Sequence, residues 1–268
     1  MSQAISKDGT AIDYERAGQG PALILVDGAM CSRDFGPTPK LLPLLAPHFT
    51  VYVYDRRGRG KSADTPPYSP QREVEDIAAL IEHAGGRASL AGLSSGGALA
   101  LEAAASGLPV EKVVAYEPPY VGVSGNGDVP DHQARLQALV AAGDRGGAVK
   151  YFMRSMVGAP APMVAMMQLM PWIWRKLKAV AHTLPYDAAV MSGFEVPAAR
   201  LAQVRVPTLV MHGTRTDARL VRAAQAVAAA VTGAQHRTLA GQTHNVSPNV
   251  LVPALVEFLA APPAAAGR

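Results

Sequence analysis

The most constraining stretch of this chain is Gly92-Leu93-Ser94-Ser95-Gly96-Gly97. It fits the pattern G-x-S-x-G centred on Ser94. Ser95 does not fit, because Leu93 stands where its own pattern needs glycine. A short apolar run, 88–92, precedes the motif. An Ala- and Leu-rich helical run, 95–106, follows it and is closed by Gly107 and Pro109. A strand that turns sharply into a helix has no room for side chains two residues to either side of the turn, which accounts for glycine at 92 and 96. The turn residue is strained, and its hydroxyl stands at the carboxyl edge of a sheet. The N-terminus of the next helix favours negative charge beside it. The motif therefore points to Ser94 as a nucleophile within an α/β framework.

The rest of the chain agrees with that framework. Apolar or β-branched runs at 12–16, 22–26, 50–54, 112–116, 207–211 and 236–239 read as strands. Helical periodicity appears at 70–84, 218–231 and 249–259, with a shorter helical segment at 39–46. Strands alternating with helices imply parallel pairing with crossover connections. Between 118 and 197 the alternation stops and helices and loops take over. The expected organisation is a core of 1–117 and 198–268 interrupted by a helical cap at 118–197. The tail 262–268 is expected to fray.

Composition removes several function classes. With 268 residues, 49% of them hydrophobic and 17% charged, the chain can bury a large core. Its one cysteine, Cys31, excludes an intrachain disulfide and a cysteine-based zinc site, and no metal is expected. Cys31 itself reads as a small packed residue. No basic region followed by an apolar run opens the chain, and no apolar stretch reaches about 18 residues, so a cytoplasmic protein with no membrane partner is expected. The net charge of +4 is spread thinly. The densest basic run, Arg56-Arg57-Gly58-Arg59-Gly60-Lys61, has no interleaved aromatics, so it reads as a solvated or turn-forming segment rather than a nucleic-acid surface.

A serine hydroxyl needs a base. His244, in Gly241-Gln242-Thr243-His244-Asn245, follows the last strand signal and precedes the last helix, where a loop at the sheet edge can bring it to Ser94. His212 ends a strand and reads as structural. Asp217 is expected to orient His244, with Glu117 as the alternative acid. Asp217 follows the 207–211 strand after a short loop, as an orienting acid should, but it also precedes a helix and suits an N-cap. Glu117 ends the 112–116 strand and is followed by Pro118-Pro119. The expected oxyanion donors are the backbone N–H of Ser95 and that of Ala29, in the Asp27-Gly28-Ala29-Met30 loop where Gly28 allows close approach.

Taken together, Leu25-Val26-Asp27-Gly28, Tyr54 through Ser62, the turn at Ser94, Val114 through Pro119 and Gly241 through His244 resemble the α/β-hydrolase superfamily, and within it a bacterial group of small serine esterase-like hydrolases. The resemblance spans nearly the whole chain and is weakest in the 118–197 insertion. It implies a mostly parallel eight-stranded sheet flanked by helices, with a helical cap and no cofactor. This chain departs from the pattern twice. Asp27-Gly28 stands where the family usually has His-Gly. Thr216 occupies the family's usual acid position, three residues beyond the strand-end glycine, with Asp217 one residue later. A phosphate-loop reading of Gly58 through Ser62 fails because Asp55 stands where its first glycine is required.

Six of the ten methionines lie between Met153 and Met170, with Trp172 and Trp174 nearby. Such a cluster reads first as the packing core of the cap, and as the alternative as the adaptable wall of an apolar pocket. Met30, Met153, Met156, Trp172 and Trp174 are therefore candidates to contact a small-molecule substrate. The expected activity is hydrolysis of an ester, lactone or thioester through an acyl-enzyme. C–C bond hydrolysis and acyl transfer can use the same residues. A non-hydrolytic ligand-binding or cyclase-like role is the alternative from another class. The oligomeric state, monomer or homodimer, is left open by the sequence.

Overall fold

The computed structural model describes residues 2–122 and 130–261; the tail 262–268 lies outside them. Eight strands form one sheet: β1 Ser2–Ile5, β2 Ala11–Ala17, β3 Ala22–Val26, β4 Thr50–Tyr54, β5 Ala88–Leu93, β6 Val110–Tyr116, β7 Thr208–Gly213 and β8 Gln235–Leu239. Their order is β1-β2-β4-β3-β5-β6-β7-β8. The β1–β2 and β2–β4 pairs are antiparallel, and the pairs joining β4, β3, β5, β6, β7 and β8 are parallel. The expected α/β sheet is thus present. β1 is not expected from the sequence, because this four-residue edge strand buries only Ala4 and lacks an apolar run.

Alternation within the strands builds two cores. Ile24, Val26, Leu90, Val113 and Val210 point to one face. There they meet α2 (Pro70–His83), α3 (Ser95–Ala105) and α10 (Ala218–Ala230). Leu23, Leu25, Val51, Val114 and Leu209 point to the other face, against α1 (Thr38–Leu45) and α11 (Pro248–Ala260). Both faces are covered, which is why the parallel strands read as continuous apolar runs.

Register brings the strand ends level. Val26 pairs with Gly92, Leu93 with Tyr116, and Tyr116 with Met211. The residues just beyond β3, β5, β6 and β7 therefore meet at one carboxyl edge, where a sheet of this type binds ligands. Between β6 and β7 the described residues contain helices and no strand: α4 His132–Ala141, α5 Arg145–Tyr151, α6 Ala161–Gln168, α7 Pro171–Val180, α8 Leu184–Val190 and α9 Ala198–Leu201. A π-helical turn, Phe152–Met156, continues α5. The short α9 packs against α3 and α10. Among the described residues no helix is long and apolar enough to cross a membrane.

The basic run after β4 forms a turn, but its three arginines are buried rather than solvated. Arg56, Arg57 and Arg59 are each no more than 2% exposed. Arg57 pairs with Asp76 and Asp8, Arg56 with Glu73 and Asp187, and Arg59 with Asp187. Guanidinium groups survive burial because their planar donors suit carboxylates in pairs. The partners lie up to 131 residues away, beyond the reach of local pattern reading.

Candidate active site

Ser94 sits between β5 and α3 with φ 54° and ψ −128°, a conformation that L-residues avoid. The space around it is closed. A Cβ on Gly92 would lie 2.2 Å from the Gly96 carbonyl oxygen, and one on Gly96 would lie 2.1 Å from that of Val26. A Cβ on Gly28 would meet Leu93 O at 2.9 Å and Ser94 Cβ at 3.1 Å. The three glycines let strand, turn and the loop after β3 converge on the serine. Its backbone is fixed by Ser94 N–H donating to Tyr116 O at 2.8 Å.

His244 comes from the β8–α11 loop. That loop is held by Tyr116 Oη donating to Thr243 O at 2.6 Å and Arg215 N–H donating to Gln242 O at 2.8 Å. Glu117, at the end of β6, lies 2.7 Å from His244 Nδ1 through its Oε2. Glu117 is fully buried and adopts φ 46°. Gly213 N–H donates to its Oε1 at 2.8 Å and Thr216 Oγ1 to its Oε2 at 2.9 Å. Burial pushes this carboxyl up, but the bonds with His244, Gly213 and Thr216 outweigh it and hold the group below the usual glutamate range. Thr216 is the residue at the family's usual acid position, and it supports Glu117 there.

Asp217 is placed differently. It caps α10, accepting from Arg219 N–H at 2.8 Å, and pairs with the Arg219 guanidinium at 2.9 Å. That pairing lowers its pKa. His244 meets the β6 carboxylate, so the expectation that Asp217 orients the histidine gives way to the alternative, Glu117. The physical reason is reach. One residue beyond Thr216 the chain has already turned into the helix, and the Asp217 side chain serves the helix end.

Ser94, Ser95, Ala29 and His244 line a cavity of about 530 Å³ at the carboxyl edge. Ser95 is the first residue of α3, so its N–H has no partner within the helix. The wall from the helical segment is apolar: Phe152, Met156, Val157, Pro160, Met191 and Phe194. Of the five residues expected to contact substrate, Met156 lines this cavity. Met30 is buried in the core behind the β3 loop, and Met153 packs against the same core. Trp172 is 57% exposed. Trp174 lines a separate basic depression with Lys150 and Lys178. Met30 belongs to a different loop and faces the core there; the other corrections share a cause. The methionine-rich run is broken into π-helical and α-helical pieces, so neighbours in sequence face different ways. Phe194 and Met191 come from beyond the run and carried no local signal.

Asp27, where the family usually has histidine, is buried. Thr38 Oγ1 donates to its Oδ2 at 2.6 Å. Burial drives its pKa up to about 7, against that bond and the pull of Arg59 and Arg56. Cys31 is packed in the same loop, and burial raises its thiol to about 12, so it is inert as a nucleophile at neutral pH. His212 accepts or donates at Thr238 Oγ1 and stacks on His236, as a structural residue does. Among the described residues no group of three His, Cys, Asp or Glu is placed to hold a metal.

Comparison with known proteins agrees with this fold. The alpha/beta hydrolase family pattern matches residues 23–256. An alpha/beta hydrolase from Sphaerobacter thermophilus DSM 20745 is 50% identical, with a TM-score of 0.87, covering 96% of this chain and 100% of that one. A hydrolase from Pseudomonas aeruginosa PA01 is 26% identical, with a TM-score of 0.77, over 97% and 98%. A pimeloyl-[acyl-carrier protein] methyl ester esterase from Xylella fastidiosa (strain M12) is 43% identical over 94 residues, so the match spans 34% of each chain. The chain belongs to the alpha/beta hydrolase family.

Proposed function

We propose that this protein is a serine hydrolase that cleaves an ester or related acyl bond of a small, largely apolar substrate, without a cofactor. The observation that carries the reading is the Glu117–His244 contact of 2.7 Å at the cavity that also holds Ser94. His244 accepts the Ser94 proton at Nε2 as Oγ attacks the acyl carbon. The carbonyl π pair moves onto oxygen, and the oxyanion is held by the N–H groups of Ala29 and Ser95. Collapse expels the alcohol or thiol, which takes the proton from His244. A water, deprotonated by His244, then attacks the acyl carbon. The acid leaves and Ser94 regains its proton.

Glu117 keeps the proton of neutral His244 on Nδ1, so that Nε2 is free to accept, and it stabilises the imidazolium that forms. The apolar wall of Phe152, Met156, Val157, Met191 and Phe194 suits an acyl or alkyl chain. The esterase likeness of the partial Xylella match supports the acyl class and leaves the substrate open.

Intact-mass labelling with a fluorophosphonate tests this reading. One adduct on wild type, absent from Ser94→Ala, supports it, and the variant is expected to lose at least about 10³-fold in kcat on acyl esters. A folded wild type that takes no adduct and cleaves no ester moves the protein to the ligand-binding or cyclase-like class. An adduct with no turnover of any ester, lactone or thioester points instead to C–C hydrolysis or acyl transfer.

A further inference from the structure

Beneath the oxyanion loop lies a buried charge cluster that the acyl-transfer scheme does not use. Arg56 and Arg59 come from the loop after β4, Glu73 from α2, and Asp187 from α8 in the helical segment. All four are no more than 2% exposed. Arg56 grips Glu73 through Nε and Nη2, each at 2.6 Å, and reaches Asp187 Oδ1 through Nη1 at 2.7 Å. Arg59 donates through Nη2 to Asp187 Oδ2 at 2.6 Å and through Nε to Thr183 Oγ1 at 3.0 Å. Burial would raise the Asp187 carboxyl, but the two guanidiniums hold it below the usual range.

Two further bonds lead from this cluster to the chemistry. Arg59 Nη1 donates to the Gly28 carbonyl oxygen at 2.7 Å. That carbonyl shares its peptide unit with Ala29 N–H. In a planar trans peptide the two groups point in opposite directions. A cation anchored on the oxygen therefore aims the N–H away from it. It also polarises the unit, making that N–H a stronger donor. The second bond is from Ser95 Oγ to Asp187 Oδ1 at 2.8 Å. It fixes the residue whose N–H opens α3 beside Ser94. One carboxylate from the helical segment thus ties both expected oxyanion donors, one directly and one through Arg59.

We infer that Asp187 and Arg59 are positioning residues for the oxyanion hole, coupling the helical segment between β6 and β7 to the rate of acyl transfer. The inference rests on the proposed acyl-enzyme. A cluster that merely fastened α8 to the body would affect stability and not the rate. Buried ion pairs are in any case often replaceable by apolar groups without loss of stability.

The test compares Asp187→Asn, Ser95→Ala and a burial-matched control, Arg57→Lys, in the full chain. Arg57 is as deeply buried but bonds Asp76, Asp8 and the Arg72 carbonyl, not the oxyanion loop. Two rates are read: kcat and KM on an ester the wild type cleaves, and phosphonylation by a fluorophosphonate. In the latter, Ser94 Oγ displaces fluoride from phosphorus and the phosphoryl oxygen occupies the oxyanion site. Asp187→Asn is expected to slow both kcat and phosphonylation about tenfold or more with KM within about threefold, while Arg57→Lys lowers Tm and leaves both rates within about twofold. Ser95→Ala, which deletes one hydroxyl and keeps the N–H, is expected to slow both about threefold, and it decides alone if Asp187→Asn does not fold. Rates near wild type in folded Asp187→Asn and Ser95→Ala overturn the inference, as does an equal slowing in Arg57→Lys. A wild type that is never phosphonylated overturns the acyl-enzyme reading itself and this inference with it.

Discussion

The ends of β6 and β7 each offer a carboxylate, Glu117 and Asp217, and the chain treats them in opposite ways. Glu117 is fully buried, held at φ 46°, and its oxygens take up His244, Gly213 N–H and Thr216 Oγ1. Asp217 has a side chain 45% exposed, and it serves a helix end and a neighbouring arginine. Both stand just past a buried strand. The difference is in what surrounds them. An orienting acid needs a dry site with enough donors to stay ionised, and only the β6 end supplies one. Here the support comes partly from the residue at the family's usual acid position, Thr216, whose hydroxyl now bonds the carboxylate one strand away.

The largest test of that contrast is Glu117→Gln. The amide can present N–H to His244 and so favour the wrong tautomer. A loss of about 10³-fold or more in kcat is expected, on the scale seen when the acid of such a triad is replaced by its amide. Near-wild-type turnover in a folded Glu117→Gln protein would break the comparison outright.

Removing one supporting donor should act more mildly. Thr216→Val deletes a hydrogen bond to a charged group, worth about 1.5–3 kcal/mol, while the other two donors remain. A several-fold fall in kcat is expected together with a lower Tm. The pH dependence has a definite sign. Glu117 has a depressed pKa when folded, so its stabilisation is present above the unfolded value and is lost as pH falls through the folded one. With a donor gone the folded value rises toward the unfolded one, so the variant's deficit in stability is full at neutral pH and shrinks as pH falls through that window. Superimposable melts from pH 3 to 7 would show that Thr216 does nothing for the carboxylate.

How much of this was legible beforehand follows from the range of the interactions involved. The turn at Ser94 is written in six consecutive residues, because its constraints are local sterics. The His244 loop and the sheet follow from short apolar runs and their alternation. Local pattern favours Asp217 over Glu117, because the support that makes Glu117 the partner of His244 comes from Gly213 and Thr216 reaching back across nearly 100 residues. The turn after β4 is legible, but the burial of its arginines is not, for the same reason. Met153, Trp172 and Trp174 leave the cavity wall because helix breaks at Pro160 and Pro171 and the π-helical turn at Phe152–Met156 redirect neighbouring side chains, whereas Met30 turns into the core from the loop after β3.

A third carboxylate sharpens the contrast. Asp27 is nearly as buried as Glu117, yet Thr38 is the one hydrogen-bond donor to its side chain among the described residues, and its pKa rises to about 7. In the unfolded chain it titrates near 3.9. Between about pH 4 and 7 the folded state therefore holds a proton that the unfolded state has lost, so stability falls as pH rises through that window and levels off above it. Asp27→Asn keeps an acceptor for Thr38 and cannot ionise. Its advantage over wild type should be absent at pH 4 and reach on the order of 1–4 kcal/mol by pH 8. Denaturant melts across that range decide it. Curves that stay parallel would mean Asp27 is already ionised in the folded protein, as Glu117 is.

The smallest effect belongs to Asp217→Ala, and it separates the two readings of that residue. A helix N-cap contributes about 1 kcal/mol, and an exposed ion pair such as the one with Arg219 adds little to that. The variant should lose about that much stability and keep kcat within about twofold, while Glu117→Gln loses activity with its fold intact. Arg219 reaches the cavity that holds Ser94, so any change in kinetics should appear in KM and vary with the charge of the substrate. A kcat loss approaching that of Glu117→Gln would require Asp217 to reach His244 during turnover. The β7 loop would then have to release its cap on α10, and a matching loss in Arg219→Ala, which leaves Asp217 unpaired but in place, would be absent.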